Sequence, residues 1–183
     1  MSPRRAVRET RDAAGPRSRY PVPLEFVIRP AQPSDASALG ALAFRSKASW
    51  GYAEVFMEAC RAELTYSPEQ IAAEHGQIAV AVSAGDLVGF YALRRTSPSE
   101  VELEALFVEP ALIGRGVGRA LLEDATRAGH QWGAKKMIIQ GDPHADRFYR
   151  AAGGIQIGTR PSESIEGRHL PVYRIDLKDP ETA

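Results

Sequence analysis

A chain of 183 residues with zero formal net charge and 44% apolar residues is long enough for one domain with its own core. The charge is uneven, since residues 1–22 carry six Arg against Glu9 and Asp12 and the remainder is mildly acidic, which makes nucleic acid a poor partner because its phosphates need a basic face. No apolar run reaches the roughly 18–20 residues that span a bilayer, so no membrane is expected, and the single cysteine, Cys60, excludes an internal disulfide and fits a reducing, cytoplasmic setting.

Residues 1–22, rich in Arg, Ser, Pro and Ala but without an apolar signal core, are expected to be a disordered extension ahead of a domain at 23–179, with 180–183 as a tail. Leu24 to Pro30 is predicted as the first strand, and Pro33-Ser34-Asp35 opens a helix with Ser34 as N-cap. Leu39, Leu42 and Ala43 follow at helical spacing. Ser49-Trp50-Gly51-Tyr52 interrupts them, and Val55, Phe56, Ala59 and Cys60 form a second apolar stripe. Ser67-Pro68 starts a short third helix to about His75, which either caps it or faces solvent.

Ile78 to Val82 and Leu87 to Leu93 are strands joined by Ala84-Gly85-Asp86, a hairpin signal, and Val101 to Val108 pairs next to them. A helix then runs from about Gly116 to about Trp132 and stops at Gly133. Lys135 to Gln140 returns as a strand, making the strand–helix–strand unit a right-handed parallel crossover. Asp142-Pro143 opens another helix, with Asp as N-cap and Pro where no donor is needed. Ile155 to Gly158 and Val172 to Leu177 are the closing strands. Thr159 to Pro171 between them is a polar loop with Arg160, Arg168 and His169, which either lines a site or meets another subunit.

The stretch from Leu103 to Leu122 declares a chemistry. A strand stopped by Pro110 feeds a helix through glycines at 114, 116 and 118, so the backbone can approach a ligand closely. The first turn of that helix offers N–H groups with no partner inside the helix, at the positive end of its dipole. Such a turn cradles an anion, and the natural anion is a phosphate or pyrophosphate. The four His at 75, 130, 144 and 169 share no ligand spacing, and no metal is expected.

The pattern Val108-x-Pro110-x-x-x-Gly114-x-Gly116-x-Gly118-x-Ala120-Leu121 resembles the acetyl-coenzyme A loop of the GNAT superfamily of N-acetyltransferases. Asp142-Pro143-His144-Ala145-Asp146-Arg147-Phe148-Tyr149 through Gly153 is similar to that family's late Asn-x-x-Ala-x-x-Phe-Tyr-x-x-x-Gly segment. The likeness extends more loosely from about Phe26 to Leu177. It implies an α/β fold of the α+β type: a mixed central sheet of about six or seven strands, an antiparallel N-terminal meander, a splayed parallel pair, and helices on both faces.

The resemblance also implies that acetyl-CoA is the co-substrate and that its pantetheine slides into the splay. Leu106, Phe107 and Val108 would line the arm, with the Leu106 and Val108 backbones bonding its amides, and Ile113, Gly114, Arg115, Gly116, Val117, Gly118 and Arg119 would hold the pyrophosphate. Asp142 and Phe148 complete the expected cofactor contacts. Ile113 departs from the family's usual Gln or Arg, and Asp142 replaces Asn, placing a carboxylate near an anionic cofactor unless it turns to cap its helix.

Acyl transfer needs a neutral nitrogen, yet an ammonium of ordinary pKa, about 10.4, is neutral roughly once in 10³ molecules at pH 7, a deficit of ~4–5 kcal/mol. A carboxylate base is therefore expected. Glu102 matches a position used by some family members, with Glu104 close behind, and strict alternation would put both on the face of Leu106 and Val108. Tyr149 matches the family's tyrosine and is the expected proton donor to the thiolate.

Trp50 and Tyr52 fall where the family places part of its acceptor pocket; packed aromatics at a helix corner would look the same. The expected acceptor is a small-molecule amine or a peptide N-terminus, and the family's habit of pairing through its late strands makes a homodimer the expected assembly. Two other classes compete: a non-catalytic acyl-CoA sensor on the same fold, and a dinucleotide-binding oxidoreductase. The second fails on spacing, because Arg119 stands where the third glycine belongs.

Overall fold

A computed structural model describes residues 24–73 and 76–177; the expected extension at 1–22, the tail at 180–183 and His75 lie outside them. The elements follow in the order β1 (Val27–Pro30), α1 (Ala36–Ala48), α2 (Glu54–Ala59), α3 (Pro68–Ile71), β2 (Gly76–Ser83), β3 (Asp86–Ser97) and β4 (Glu100–Val108). After these come α4 (Val117–Gln131), β5 (Lys136–Gln140), α5 (Asp146–Ala151), β6 (Ile155–Pro161) and β7 (His169–Asp176). Among the described residues seven strands form one sheet in the order β1-β2-β3-β4-β5-β7-β6, with β4 and β5 as its parallel pair.

Two apolar layers hold the sheet. On one face Val117, Leu121, Leu122, Ala125 and Ala128 of α4 pack on Tyr91, Leu93, Val101, Leu103 and Met137. On the other, Leu39, Leu42 and Ala43 of α1 join Met57, Cys60, Val80, Phe90 and Ala105. Val117 and Leu121 are fully buried, which at about 1.5–3 kcal/mol per large apolar side chain fixes where the N-terminus of α4 points.

Local chemistry explains most boundaries and corrects several expectations. A 3-10 turn, Pro33–Asp35, leads into α1, and its N-cap is Gln32 rather than Ser34: Pro33 takes the first helical position, and the Asp35 carboxylate accepts the Gln32 amide at 2.8 Å. β1 starts at Val27, three residues later than predicted. In α2 the buried side is Met57 and Cys60 with Phe56 beside them, whereas Val55 is 84% exposed and Ala59 faces solvent. The polar loop between the closing strands shrinks to 162–168, because β6 and β7 pair as far as Pro161 with His169. The β2–β3 hairpin turns on Ala84 and Gly85, both with positive φ.

Candidate active site

β4 and β5 pair over Glu100–Leu103 and Lys136–Ile139 and then part. β5 ends at Gln140, and the Gly141 amide bonds the Pro171 carbonyl at 3.0 Å, drawing that end toward β7, while β4 continues to Val108. The second half of β4 therefore presents an open edge to a gap. The Glu109 amide donates to Val88 of β3 at 2.9 Å, so by alternation the backbone groups of Leu106 and Val108 point the other way, into the gap.

The turn after β4 leads into α4 at one end of this gap. Ile113 donates its amide to Pro110 at 3.3 Å and Arg115 to Leu112 at 3.0 Å, so these two are occupied within the turn. Ala120 is the first amide to bond back into the helix, onto Gly116 at 3.0 Å. Between them the amides of Gly114, Gly116, Val117, Gly118 and Arg119 donate to no acceptor among the described residues. Gly116 is the N-cap with φ of 91° and no side chain to satisfy them. A Cβ at Gly114 or Gly116 would meet nothing within 4 Å, so the cradle opens to free space. Gly118 lies beside Phe148 and Val108, which joins the helix terminus to the gap.

Tyr149 of α5 closes the far wall. Its ring is buried at 6% exposure, 5.2 Å from Phe148 and 5.4 Å from Tyr173, and its hydroxyl makes no hydrogen bond to the described residues. Burial pushes its phenol above the ordinary tyrosine range, and the nearby Tyr173 and Asp142 push the same way. By contrast, the Tyr91, Tyr173 and Tyr52 hydroxyls donate to Asp124, Asp146 and Asp142.

Glu102 and Glu104 do not share a face with Leu106 and Val108. A bulge places Ala92 opposite Ala105 but Leu93 opposite Leu103, so Glu104 is the extra residue and the alternation changes phase there. Val101 and Leu103 before it and Leu106 and Val108 after it lie on the α4 face, leaving Glu102 and Glu104 with Ala105 and Phe107 on the α1 face. Glu102 accepts from Arg94 at 3.1 Å on one oxygen and from Arg160 at 2.6 Å on the other. Glu104 accepts from Arg94 through one oxygen.

Asp142 turns away from the cradle. Its carboxylate caps the turn before α5 by accepting the His144 amide at 3.0 Å, accepts the Tyr52 hydroxyl at 2.8 Å, and lies 3.3 Å from Arg168 Nη2. Burial and then Asp142 push the Tyr52 phenol up to about 12. Trp50 stacks on His144 at 5.0 Å and Tyr52 on Phe56 at 4.1 Å, and through His144 and Asp142 both lie against the turn that follows β5. The sequence carries no sign that Phe56, His144 or Arg94 belongs here, and it marks Arg160 and Arg168 only as charges of the polar loop.

Residues 35–170 match the family model described as an acetyltransferase (GNAT) domain. The chain is 32% identical over 116 residues to the N-alpha-acetyltransferase RimI of Mycobacterium tuberculosis, covering 61% of this chain and 73% of that one. Its fold is similar to a GCN5-related N-acetyltransferase from Rhodopseudomonas palustris, with a TM-score of 0.69 at 23% identity over 86% of this chain and 99% of the other. The PaiA N-acetyltransferase of Thermoplasma acidophilum, solved with coenzyme A, gives a TM-score of 0.69 at 19% identity over 83% of this chain and 99% of the other. On a family match that spans most of its length and all of the gap and turn described above, the chain belongs to the GNAT N-acetyltransferases and is an acyltransferase.

Proposed function

We propose that the protein transfers the acetyl group of acetyl-CoA to the amine of a small molecule or a peptide N-terminus, by direct attack with both substrates bound. One observation carries this reading: five amides from Gly114 to Arg119, with no acceptor among the described residues, sit beside an open strand edge at Leu106 and Val108. A phosphate pair suits the first and an amide-bearing arm the second, so the residues present fit acetyl-CoA. The relative named N-alpha-acetyltransferase and the similar fold solved with coenzyme A support the same ligand and nucleophile.

Acetyl-CoA supplies an activated thioester; the chain supplies alignment and proton handling. The Leu106 and Val108 backbones hold the arm, and strand-edge amides lie where they can polarise a carbonyl. Glu104 is the better placed base, because one of its oxygens stays unbonded among the described residues while both oxygens of Glu102 are held by arginines. Glu102 keeps Arg94 and Arg160 in place. Tyr149 acts as a hydrogen-bond donor to the departing sulfur: its phenol lies above the ordinary value of about 10, whereas a thiol lies near 8.5, so full proton transfer would cost more than about 2 kcal/mol. The expected homodimer through the late strands is supported by β6, an edge strand whose Ile155 and Ile157 are 55% and 51% exposed.

Calorimetric titration with acetyl-CoA, followed by an amine and peptide screen that detects free thiol, tests the proposal. Saturable binding with thiol release is the expected outcome. Binding without release across the panel would leave an acyl-CoA sensor instead, and no binding at all would reject both.

A further inference from the structure

Arg168 reaches from the loop between β6 and β7 into a pocket made by two other parts of the chain. Its guanidinium lies 5.1 Å from the Tyr52 ring centroid and 4.8 Å from that of Phe56, donates to the Tyr52 hydroxyl at 2.7 Å, and lies 3.3 Å from Asp142. Ring faces plus a carboxylate are what a cation needs when it leaves water. The Arg168 side chain is only 18% exposed and that of Asp142 only 19%.

The hold on Arg168 is loose where it should be strongest. A charge-assisted N–H···O bond is ordinarily about 2.7–2.9 Å long, and the bond to Asp142 is 3.3 Å. The pocket itself does not depend on Arg168, because the Tyr52 hydroxyl lies 2.8 and 2.9 Å from the two Asp142 oxygens and Tyr52 stacks on Phe56. Tyr52 and Phe56 belong to the layer on the α1 face, whereas Tyr149 belongs to the α4 layer; Asp142 sits between them, at the end of β5 where the gap opens.

We propose that Tyr52, Phe56 and Asp142 form a cation subsite of the acceptor pocket, held in the free protein by Arg168 as an internal stand-in and taken by a second positive charge on the acceptor. The acceptor class is thus an amine that carries a guanidinium or a further ammonium, such as a peptide N-terminus followed by a basic side chain. This rests on the acetyltransferase reading for the identity of the acceptor, but the subsite can be tested without turnover.

The probe is argininamide, with glutaminamide as the matched neutral side chain, titrated into the full chain. Arg168→Ala vacates the subsite and is expected to bind argininamide about tenfold more tightly than the native protein, the scale of one charge-assisted contact. Adding Asp142→Asn, which can still cap the turn, removes that gain, and glutaminamide shows no such difference. Should Arg168→Ala not fold, Arg168→Gln removes the charge while keeping a donor to Tyr52. With acetyl-CoA present, dicationic acceptors are expected to exceed neutral-side-chain ones in kcat/KM by about tenfold, and Asp142→Asn to erase the preference. Equal argininamide binding by native and Arg168-substituted protein, or a gain that survives Asp142→Asn, overturns the subsite. If acetyl-CoA fails to bind native protein, the acetyltransferase reading falls separately, and the titration alone still decides the subsite.

Discussion

Gly141 and Tyr149 touch so closely that a Cβ on the glycine would fall 2.9 Å from Tyr149 Cε2, with Tyr173 Cε2 at 3.0 Å on the other side. The end of β5 can thus bend toward β7 only because position 141 has no side chain. Gly141→Ala is expected to cost about 1–3 kcal/mol, the usual penalty of overpacking against rings that cannot move. Denaturant unfolding measures it. Unaltered stability would show that the rings give way.

Tyr149→Phe separates chemistry from folding. Its hydroxyl bonds no described residue, so the change is expected to leave stability within about 0.5 kcal/mol. Turnover should fall by roughly 10²-fold if the phenol assists the leaving sulfur. A turnover loss matched by an equal loss of folded protein would assign Tyr149 to the core alone.

The two strand carboxylates should part company. Glu104→Gln is expected to lower kcat/KM by about 10²-fold and remove the acidic limb of its pH profile, the signature of a lost base. Glu102→Gln removes a partner of Arg94 and Arg160, pairs whose arginines are half-exposed and which contribute about 1 kcal/mol each, and should keep the limb. The reverse result would return the base to Glu102.

Gly116 holds φ of 91°, where an L side chain costs about 1–2 kcal/mol. Gly116→Ala should therefore destabilise by that amount, and because its Cβ would enter the open cradle, acetyl-CoA affinity should fall further than stability explains. Comparing the two by thermal melts and calorimetry checks this. Gly133→Ala, at φ of 82° just past the other end of α4 and with nothing within 4 Å of its Cβ, is the control.

At low pH the Asp35 carboxyl titrates below its ordinary range, chiefly because the Arg29 guanidinium bonds it and then because the Gln32 amide does. A depressed pKa stabilises above the unfolded value and loses that stabilisation as pH falls through the folded one. The stability difference between native protein and Asp35→Asn should hold near neutrality and vanish in acid. At the alkaline end Tyr52 and Tyr173 are both pushed up to about 12, by burial first and then by Asp142 and Asp146 respectively. Their contribution should be complete below about pH 10 and lost as pH rises through about 12. Urea midpoints across pH, read beside the absorbance of tyrosinate, follow both.

What the sequence by itself determined was local. The glycine-spaced turn and its helix, the Ala84-Gly85 hairpin, the helix start at Ser67-Pro68, the Asp142 cap and the Leu39, Leu42 and Ala43 stripe follow from φ preferences, missing donors and apolar periodicity, all of which act within a few residues. Only the tertiary structure decided which way Glu102 and Glu104 face, because one bulged residue reverses a period-two pattern without any mark in composition. It also decided that Arg168 meets Tyr52 and Asp142, residues 116 and 26 positions away, since a salt bridge between distant segments is set by how strands and loops pack and leaves no spacing to read.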